Sequence, residues 1–249
     1  MRHHLLYKLE NLFSFEGYTP FRINQRQLQQ SPLLMCLWNC QSIRNKTAAF
    51  HDYLCEKRVD LCALTETWLS ANDAPVEAEC LPAGYKIYDY PLTSRGGGGI
   101  ALVAGEQLLV SLRKTGTMRS FEFVELEVSC DSFKIRLVII YRTPYSLSHP
   151  VMVSTFIDEF ADYLESIVLS TEPLLITGDM NIHVDVSDNA DALKFRDLLE
   201  SMALTQHVRT PTHESGHTLD LIITRELDNI VLTTPNDHAL CQTIVQLIS

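Results

Sequence analysis

From Pro32 onward, short apolar runs alternate with amphipathic helical stretches, a pattern that predicts an α/β protein in which helices cover β-sheet. Two further observations support it. Several apolar runs end on a polar residue of a kind that chemistry uses, and a chain of 249 residues that is 46% hydrophobic and 20% charged can bury a sizeable core. Length alone allows one large domain or two small ones, and one domain at 32–249 is the default reading. Residues 1–31 mix Arg2, His3, His4, Lys8 and the run Asn24-Gln25-Arg26-Gln27 with isolated apolar residues, and they are expected to be a weakly ordered extension. No internal repeat or low-complexity segment is apparent.

The predicted helices rest on apolar spacing of three and four. Phe156, Ile157, Phe160, Ala161, Leu164, Ile167 and Val168 form one stripe after Pro150, and Phe195, Leu198, Leu199 and Met202 form another. A third helix is expected from about Thr47 to Lys57, packed through Phe50, Tyr53 and Leu54. The predicted strands carry more information. Leu33 to Trp38 runs into Asn39, Leu61 to Thr65 into Glu66, Arg136 to Ile140 into Tyr141, and Leu174 to Gly178 into Asp179. Asp220 sits within Thr218 to Ile223, and Asp237-His238 opens a last strand from Ala239 to about Leu247. Ligand clefts of α/β proteins form at the carboxyl ends of strands, so these polar residues are candidates to converge on one site.

Charge and cysteine usage limit the functions available. Lys and Arg number 20 against 31 Asp and Glu, a net charge of −11, which argues against gripping nucleic acid by bulk charge and requires any such contact to be local. The seven cysteines are scattered without a C-x-x-C pair, as expected of buried thiols in a reducing compartment. Apolar stretches such as Leu137 to Tyr141 are too short to span a bilayer, and the first thirty residues lack a signal-peptide apolar region. An intracellular, soluble protein with no membrane partner is expected.

In order along the chain, Asn39, Glu66, Tyr141, Asp179, Asn181, Asp220, Asp237 and His238 resemble the site residues of the endonuclease/exonuclease/phosphatase superfamily, which includes apurinic/apyrimidinic endonucleases, type I deoxyribonucleases and inositol-polyphosphate phosphatases. The resemblance runs from about Leu33 to Leu247. Flanking pieces look most like the endonuclease domain of non-LTR (LINE-type) retrotransposons: Trp38-Asn39-Cys40-Gln41-Ser42-Ile43-Arg44-Asn45-Lys46, Thr65-Glu66-Thr67-Trp68-Leu69, Arg95-Gly96-Gly97-Gly98-Gly99-Ile100-Ala101, Tyr141-Arg142-Thr143-Pro144, Gly178-Asp179-Met180-Asn181-Ile182-His183, and Pro211-Thr212-His213 followed by Gly216-His217-Thr218-Leu219-Asp220-Leu221. The fold this implies is a four-layer α/β/β/α sandwich, two mixed β-sheets face to face with helices outside.

The implied chemistry is metal-assisted phosphodiester hydrolysis. A scissile phosphate repels its nucleophile, and a hard cation such as Mg²⁺, or Mn²⁺ in its place, neutralises that charge through oxygen ligands. By resemblance, Glu66 is the metal ligand, Asn39 orients the metal shell, and Asp237 adds a direct or outer contact. Asp179 orients and deprotonates the attacking water, and Asn181 places that water and holds a phosphate oxygen. His238, aligned by Asp220, stabilises charge on the phosphorus, and Tyr141 faces the leaving oxygen. Whether Asp179 or His238 acts as base is left open. Arg44, Arg95 and Arg142 are the candidate DNA contacts, with Lys46 and Arg209 near the same cleft.

Other motifs have plainer readings. Gly96 to Gly99 lacks the Gly-Lys-Ser/Thr ending of a P-loop and is expected to be a turn entering the strand Ile100 to Val103. His207, His213 and His217 are separated by Pro211 and lack a cysteine partner, so a loop against the cleft is expected rather than zinc. Asp179-x-Asn181-x-His183-x-Asp185 departs from an EF-hand loop at Val184 and Ala190. Trp68 could stack on a base, but a strand-end tryptophan is buried packing about as often, and it is left outside the site. Gln41, Thr143 and Asn236 depart from the pattern of relatives without removing a principal catalytic group.

The resemblance implies a Mg²⁺-dependent DNA endonuclease that nicks one strand to leave a 3′-hydroxyl, of retrotransposon origin and located in the nucleus. The sequence stops just after the last expected strand, so a reverse transcriptase or element RNA would act in trans. The rival readings are an inositol-phosphate or lipid phosphatase of the same superfamily and a catalytically silent binding remnant.

Overall fold

The computed structural model describes residues 32–91, 97–130, 133–233 and 243–247. The extension at 1–31, Arg95, Gly96, Asp237 and His238 lie outside the described residues. In chain order the elements are β1 (Leu33–Asn39), α1 (Thr47–Lys57), β2 (Leu61–Thr65), α2 (Ala74–Cys80), β3 (Tyr85–Tyr90), β4 (Ile100–Gly105), β5 (Leu109–Thr117), β6 (Phe121–Cys130), β7 (Phe133–Arg142), α3 (Val153–Ile167), β8 (Leu174–Asp179), α4 (Ala190–Ser201), β9 (Leu204–Gln206), β10 (Asp220–Arg225), β11 (Val231–Thr233) and β12 (Thr243–Leu247).

Among the described residues these strands form two six-stranded sheets, ordered β11-β12-β1-β2-β4-β3 and β5-β6-β7-β8-β10-β9. Both are mixed. β1 runs parallel to β2 and β7 parallel to β8, while the other pairs are antiparallel.

Each central strand is apolar on both faces because each sheet is covered on both faces. In β1, Met35 and Leu37 join a central core between the sheets, while Cys36 and Trp38 face outward. In β7, Ile135, Leu137 and Ile139 enter that core, while Val138 and Ile140 face the other way. The outward face of the first sheet is sealed by α1 through Phe50, Tyr53 and Leu54. The outward face of the second is sealed by α3 and α4 through Phe156, Phe160, Leu164, Ile167, Phe195 and Leu199. Phe156, Phe160 and Phe195 stack with centroids 5.3–6.2 Å apart. Helix, sheet, sheet, helix is the four-layer sandwich expected.

The three predicted helices are present, with Val168 and Met202 of the expected stripes as C-caps just past the ends of α3 and α4, and α4 gains an N-cap from Asn189, whose side chain accepts from the backbone N–H of Asp191 and Ala192. β10 begins at Asp220 rather than at Thr218.

One glycine decides how closely β7 and β8 approach. Gly178 pairs with Ile140, has φ +141°, and a Cβ there would lie 1.8 Å from the Ile140 carbonyl oxygen. Gly178→Ala is therefore expected to destabilise the protein by about 2–4 kcal/mol, combining backbone strain with overpacking. Urea unfolding would measure it, and a loss below about 0.5 kcal/mol, the size of a surface change, would show that this seam yields.

Candidate active site

The strand register carries the polar strand ends to one edge of the sandwich. In the second sheet Glu122 lies opposite Tyr141, Tyr141 beside Asp179, and Asp179 opposite Asp220. In the first, Asn39 lies beside Thr65 and Thr65 opposite Ile100. Side chains alternate along a strand, so Asn39 shares a face with Leu37, Tyr141 with Ile139, Asp179 with Leu175 and Asp220 with Ile222, all residues of the central core. The site is the apolar interior between the sheets turned polar at its rim.

Asn39 joins the two halves. Its Nδ2 donates to Glu66 Oε1 at 2.9 Å and to Asp179 Oδ2 at 2.5 Å, while its Oδ1 accepts from the Gln41 N–H at 3.2 Å. Tyr141 is buried and lies beside the Glu66 charge. The other Asp179 oxygen accepts from the Asn181 N–H at 2.9 Å. The Thr212 hydroxyl oxygen accepts from the backbone N–H groups of Leu219 and Asp220 at 3.0 and 3.1 Å, which fixes the start of β10. The Asp220 Oδ1 is buried with no hydrogen-bond partner among the described residues.

The loops that leave these strands hold a backbone conformation that side chains disfavour. Gln41, Ser42, Glu66, Trp68 and Asn181 all have φ between +42° and +74°. Such residues cost on the order of 1–3 kcal/mol each, and they persist where other bonds over-determine them. Here the Ser42 N–H donates to the Glu66 carbonyl, and the N–H groups of Thr67 and Trp68 donate to the carbonyls of Gly99 and Gly98. Gly97, Gly98 and Gly99 all have positive φ, so the described part of the glycine run is the expected entry turn to β4 and also the brace of the Glu66 loop. Asn181 Nδ2 donates to the Arg142 carbonyl at 2.7 Å.

The electrostatics follow from burial and crowding. Asp179 is 3% exposed, and burial, reinforced by the Glu66 charge, pushes its carboxyl up to about 7 against the downward pull of Asn39 and Asn181. Burial, with Asp179 and Glu66 nearby, likewise holds Asp220 well above the usual carboxylate range. Burial and then Glu66 hold the Tyr141 phenol protonated far above its ordinary range.

The expected DNA contacts divide differently. Arg142 is 2% exposed, and its guanidinium donates to the Asn181 carbonyl at 3.1 Å with Phe156 beneath it at 5.8 Å. It is internal bracing for the loop after β8 and presents nothing to a ligand, because an apolar helix covers it. Arg44 is half-exposed but committed to an ion pair with Asp73, with a further bond to the Trp68 carbonyl at 3.0 Å. Arg95 lies outside the described residues. Arg209 lines a cavity of about 420 Å³ between α4 and β9, along with Phe195, Arg196 and Gln206. Of the loop histidines, His217 meets Asp185 at 3.0 Å and stacks on His183 at 3.9 Å, while His207 meets Thr224 and His213 meets Ser215.

Two contributors were not anticipated. Glu122 is buried and both its carboxylate oxygens lie 3.2–3.3 Å from the Gly99 N–H, tying β6 to the glycine turn. Its signal was an acid between Phe121 and Phe123. Thr212, which holds Asp220, lies in a loop that no periodicity marks.

Residues 36–238 match the model of the Endonuclease/Exonuclease/phosphatase family. The chain belongs to this family. Its members are hydrolases, most of them nucleases. Similar solved structures include the endonuclease domain of TRAS1, a telomere-specific non-LTR retrotransposon, at 14% identity and TM-score 0.67, covering 87% of this chain and 98% of that one. The AP endonuclease LMAP from Leishmania major is 14% identical with TM-score 0.68 over 93% of both chains. An AP endonuclease from Archaeoglobus fulgidus is 15% identical with TM-score 0.62, over 87% of this chain and 100% of that one. At such identities the likeness speaks to fold. No curated protein sequence matches this family member.

The raised carboxyls make a stability prediction. The folded protein keeps protons on Asp179 and Asp220 that the unfolded chain releases near pH 4, so without divalent ions their contribution is full below about pH 4 and is lost as pH rises toward 7. Asp220→Asn removes one such group. In EDTA its melting temperature should exceed that of the wild type at pH 8, with the difference shrinking toward pH 5. A difference that grows on acidification would reverse the assigned sign.

Proposed function

We propose that this family member is a divalent-metal-dependent DNA endonuclease that nicks one strand and leaves a 3′-hydroxyl. The observation that carries it is the Asn39 amide bridging Glu66 and Asp179 across the two sheets, with Asp220 beside Asp179. The donor set fits Mg²⁺ or Mn²⁺: the groups are hard oxygens, and carboxyls raised by burial, with further charge beside them, are the environment a cation relieves. Glu66 and Asn39, with Asp237, would hold the ion, which supplies neutralisation of the scissile phosphate.

The chain's own residues supply the rest. Asp179 is fixed through both oxygens, so it can accept a proton from water in one direction only, and a carboxyl near 7 is suited to a base working at neutral pH. Tyr141 is buried beside the Glu66 charge with its phenol held protonated, so it keeps a proton to donate, toward Glu66 or toward the leaving oxygen. The buried Asp220 Oδ1 is without a partner among the described residues, and the imidazole of His238 has the chemistry to supply a donor there, a bond that would fix one tautomer and favour the charged ring that stabilises a phosphorane. Arg142 keeps the Asn181 loop in its left-handed turn.

Supercoiled plasmid incubated with the purified protein and Mg²⁺ should be nicked, with no nicking in EDTA. Glu66→Ala, Asp179→Asn and His238→Ala should each lower the rate by at least about a hundredfold, the smaller end of what a positioned acid or base contributes. Full activity in Asp179→Asn would remove it as base. A well-folded wild type that leaves plasmid intact and releases phosphate from inositol phosphates would move the assignment to a phosphatase.

A further inference from the structure

Trp68 stands two residues beyond Glu66, and it is not the packing residue that a strand-end tryptophan often is. Its side chain is 45% exposed, whereas its neighbours Thr67 and Leu69 are 0% and 5% exposed. The chain has two tryptophans, and the other, Trp38, is buried and stacked on Phe50 at 5.2 Å.

Holding the indole outward is costly. Trp68 has φ +53°, a conformation that a bulky L-residue rarely adopts. Three bonds keep it there: its N–H donates to the Gly98 carbonyl at 3.0 Å, its carbonyl accepts from Arg44 at 3.0 Å, and Arg44 is locked by the buried Asp73, which also accepts from the Ser70 N–H and hydroxyl. Gly97 lies against one side of the ring, where a Cβ would meet Nε1 at 3.6 Å. The ring is therefore only partly covered, by Gly97, while its backbone is strained and fastened. Strain maintained in this way belongs at ligand-binding positions.

Two residues span at most about 7 Å of chain, so Trp68 leaves the backbone on the same short loop as Glu66, the residue assigned to the metal. We infer that Trp68 is a stacking platform for an unpaired nucleobase of the DNA next to the scissile phosphate. The inference rests on the nuclease reading above. An indole offers a neutral face to any base, which suits a chain of net charge −11. It also requires a base whose own face is open, so substrates with an unpaired base beside the cut are favoured over perfect duplex.

Two measurements test it. Tryptophan fluorescence of the wild type in EDTA, titrated with a short duplex carrying one unpaired base, should be quenched, and Trp68→Phe should lose the quenching because Trp38 is shielded. In Mg²⁺, nicking of the same duplex by Trp68→Ala should show KM raised about tenfold or more with kcat within about twofold, and Trp68→Phe should recover most of the loss. Unquenched fluorescence at saturating oligonucleotide, or unchanged KM in Trp68→Ala, overturns the platform while leaving the nuclease in place. Quenching without any nicking keeps the platform and overturns the nuclease, and the absence of both overturns both.

Discussion

The amide of Asn39 is the contact on which the rest of the site depends. Two sheets that each end in carboxylates would repel one another at their shared rim, and a side chain with two N–H donors converts that repulsion into a pair of hydrogen bonds, one to each sheet. The apolar residues below make the bridge possible. Leu37, Ile139, Leu175 and Ile222 fill the space between the sheets, so the inward positions above them are held at a fixed separation without help from the polar groups themselves. The polar atoms inherit their geometry from the core, and Asn39 need only join what packing has already brought within reach.

Backbone freedom at a few positions turns that rim into a site. The parallel β7–β8 pair approaches so closely at Gly178 that any side chain would strike the Ile140 carbonyl, and that approach sets Tyr141 beside Asp179. On the other sheet, successive glycines with positive φ offer the carbonyls of Gly98 and Gly99 to the loop carrying Glu66, while Glu122 anchors the same turn from β6. The left-handed residues at Gln41, Ser42, Glu66, Trp68 and Asn181 are concentrated where β1, β2 and β8 end. Strain is tolerated there because both flanks of each loop are pinned to a sheet.

What could be read from sequence was what burial on both faces writes into a chain. β1, β2, β7 and β8 carry apolar runs that lead into Asn39, Glu66, Tyr141 and Asp179, β10 opens on Asp220 ahead of another apolar run, and the helices covering them repeat at three and four, so the sandwich, its core and these positions were legible. The edge elements were not. β3 is half-buried with Lys86 and Asp89 among its tyrosines, β5 is largely exposed with a bulge between Leu112 and Lys114, and α2 is a seven-residue helix too short to show a period. The roles of arginines were also illegible. Arg142 and Arg44 stand next to site motifs as a phosphate-binding residue would, yet one is sealed beneath Asn181 and the other is held by Asp73, because a side chain long enough to reach a ligand is long enough to turn inward.

That redistribution of charge has a consequence for how such a site meets an anionic polymer. With 31 acidic residues against 20 basic ones, and with the guanidinium groups of Arg44 and Arg142 committed to internal partners, neither of these two arginines is free to release counterions from an anionic polymer. On the proposed function, attraction would rest on short-ranged contacts: a cation held by Glu66 against the phosphate, and the neutral face of Trp68 on the same loop. Such contacts do little for undistorted duplex, whose bases are stacked on one another, and more for a backbone already opened. For the proposed nuclease a few contacts would have to suffice, and the packed seam favours them, because it joins Asn39, Glu66 and Asp179 before any ligand arrives and so lowers the ordering cost of binding.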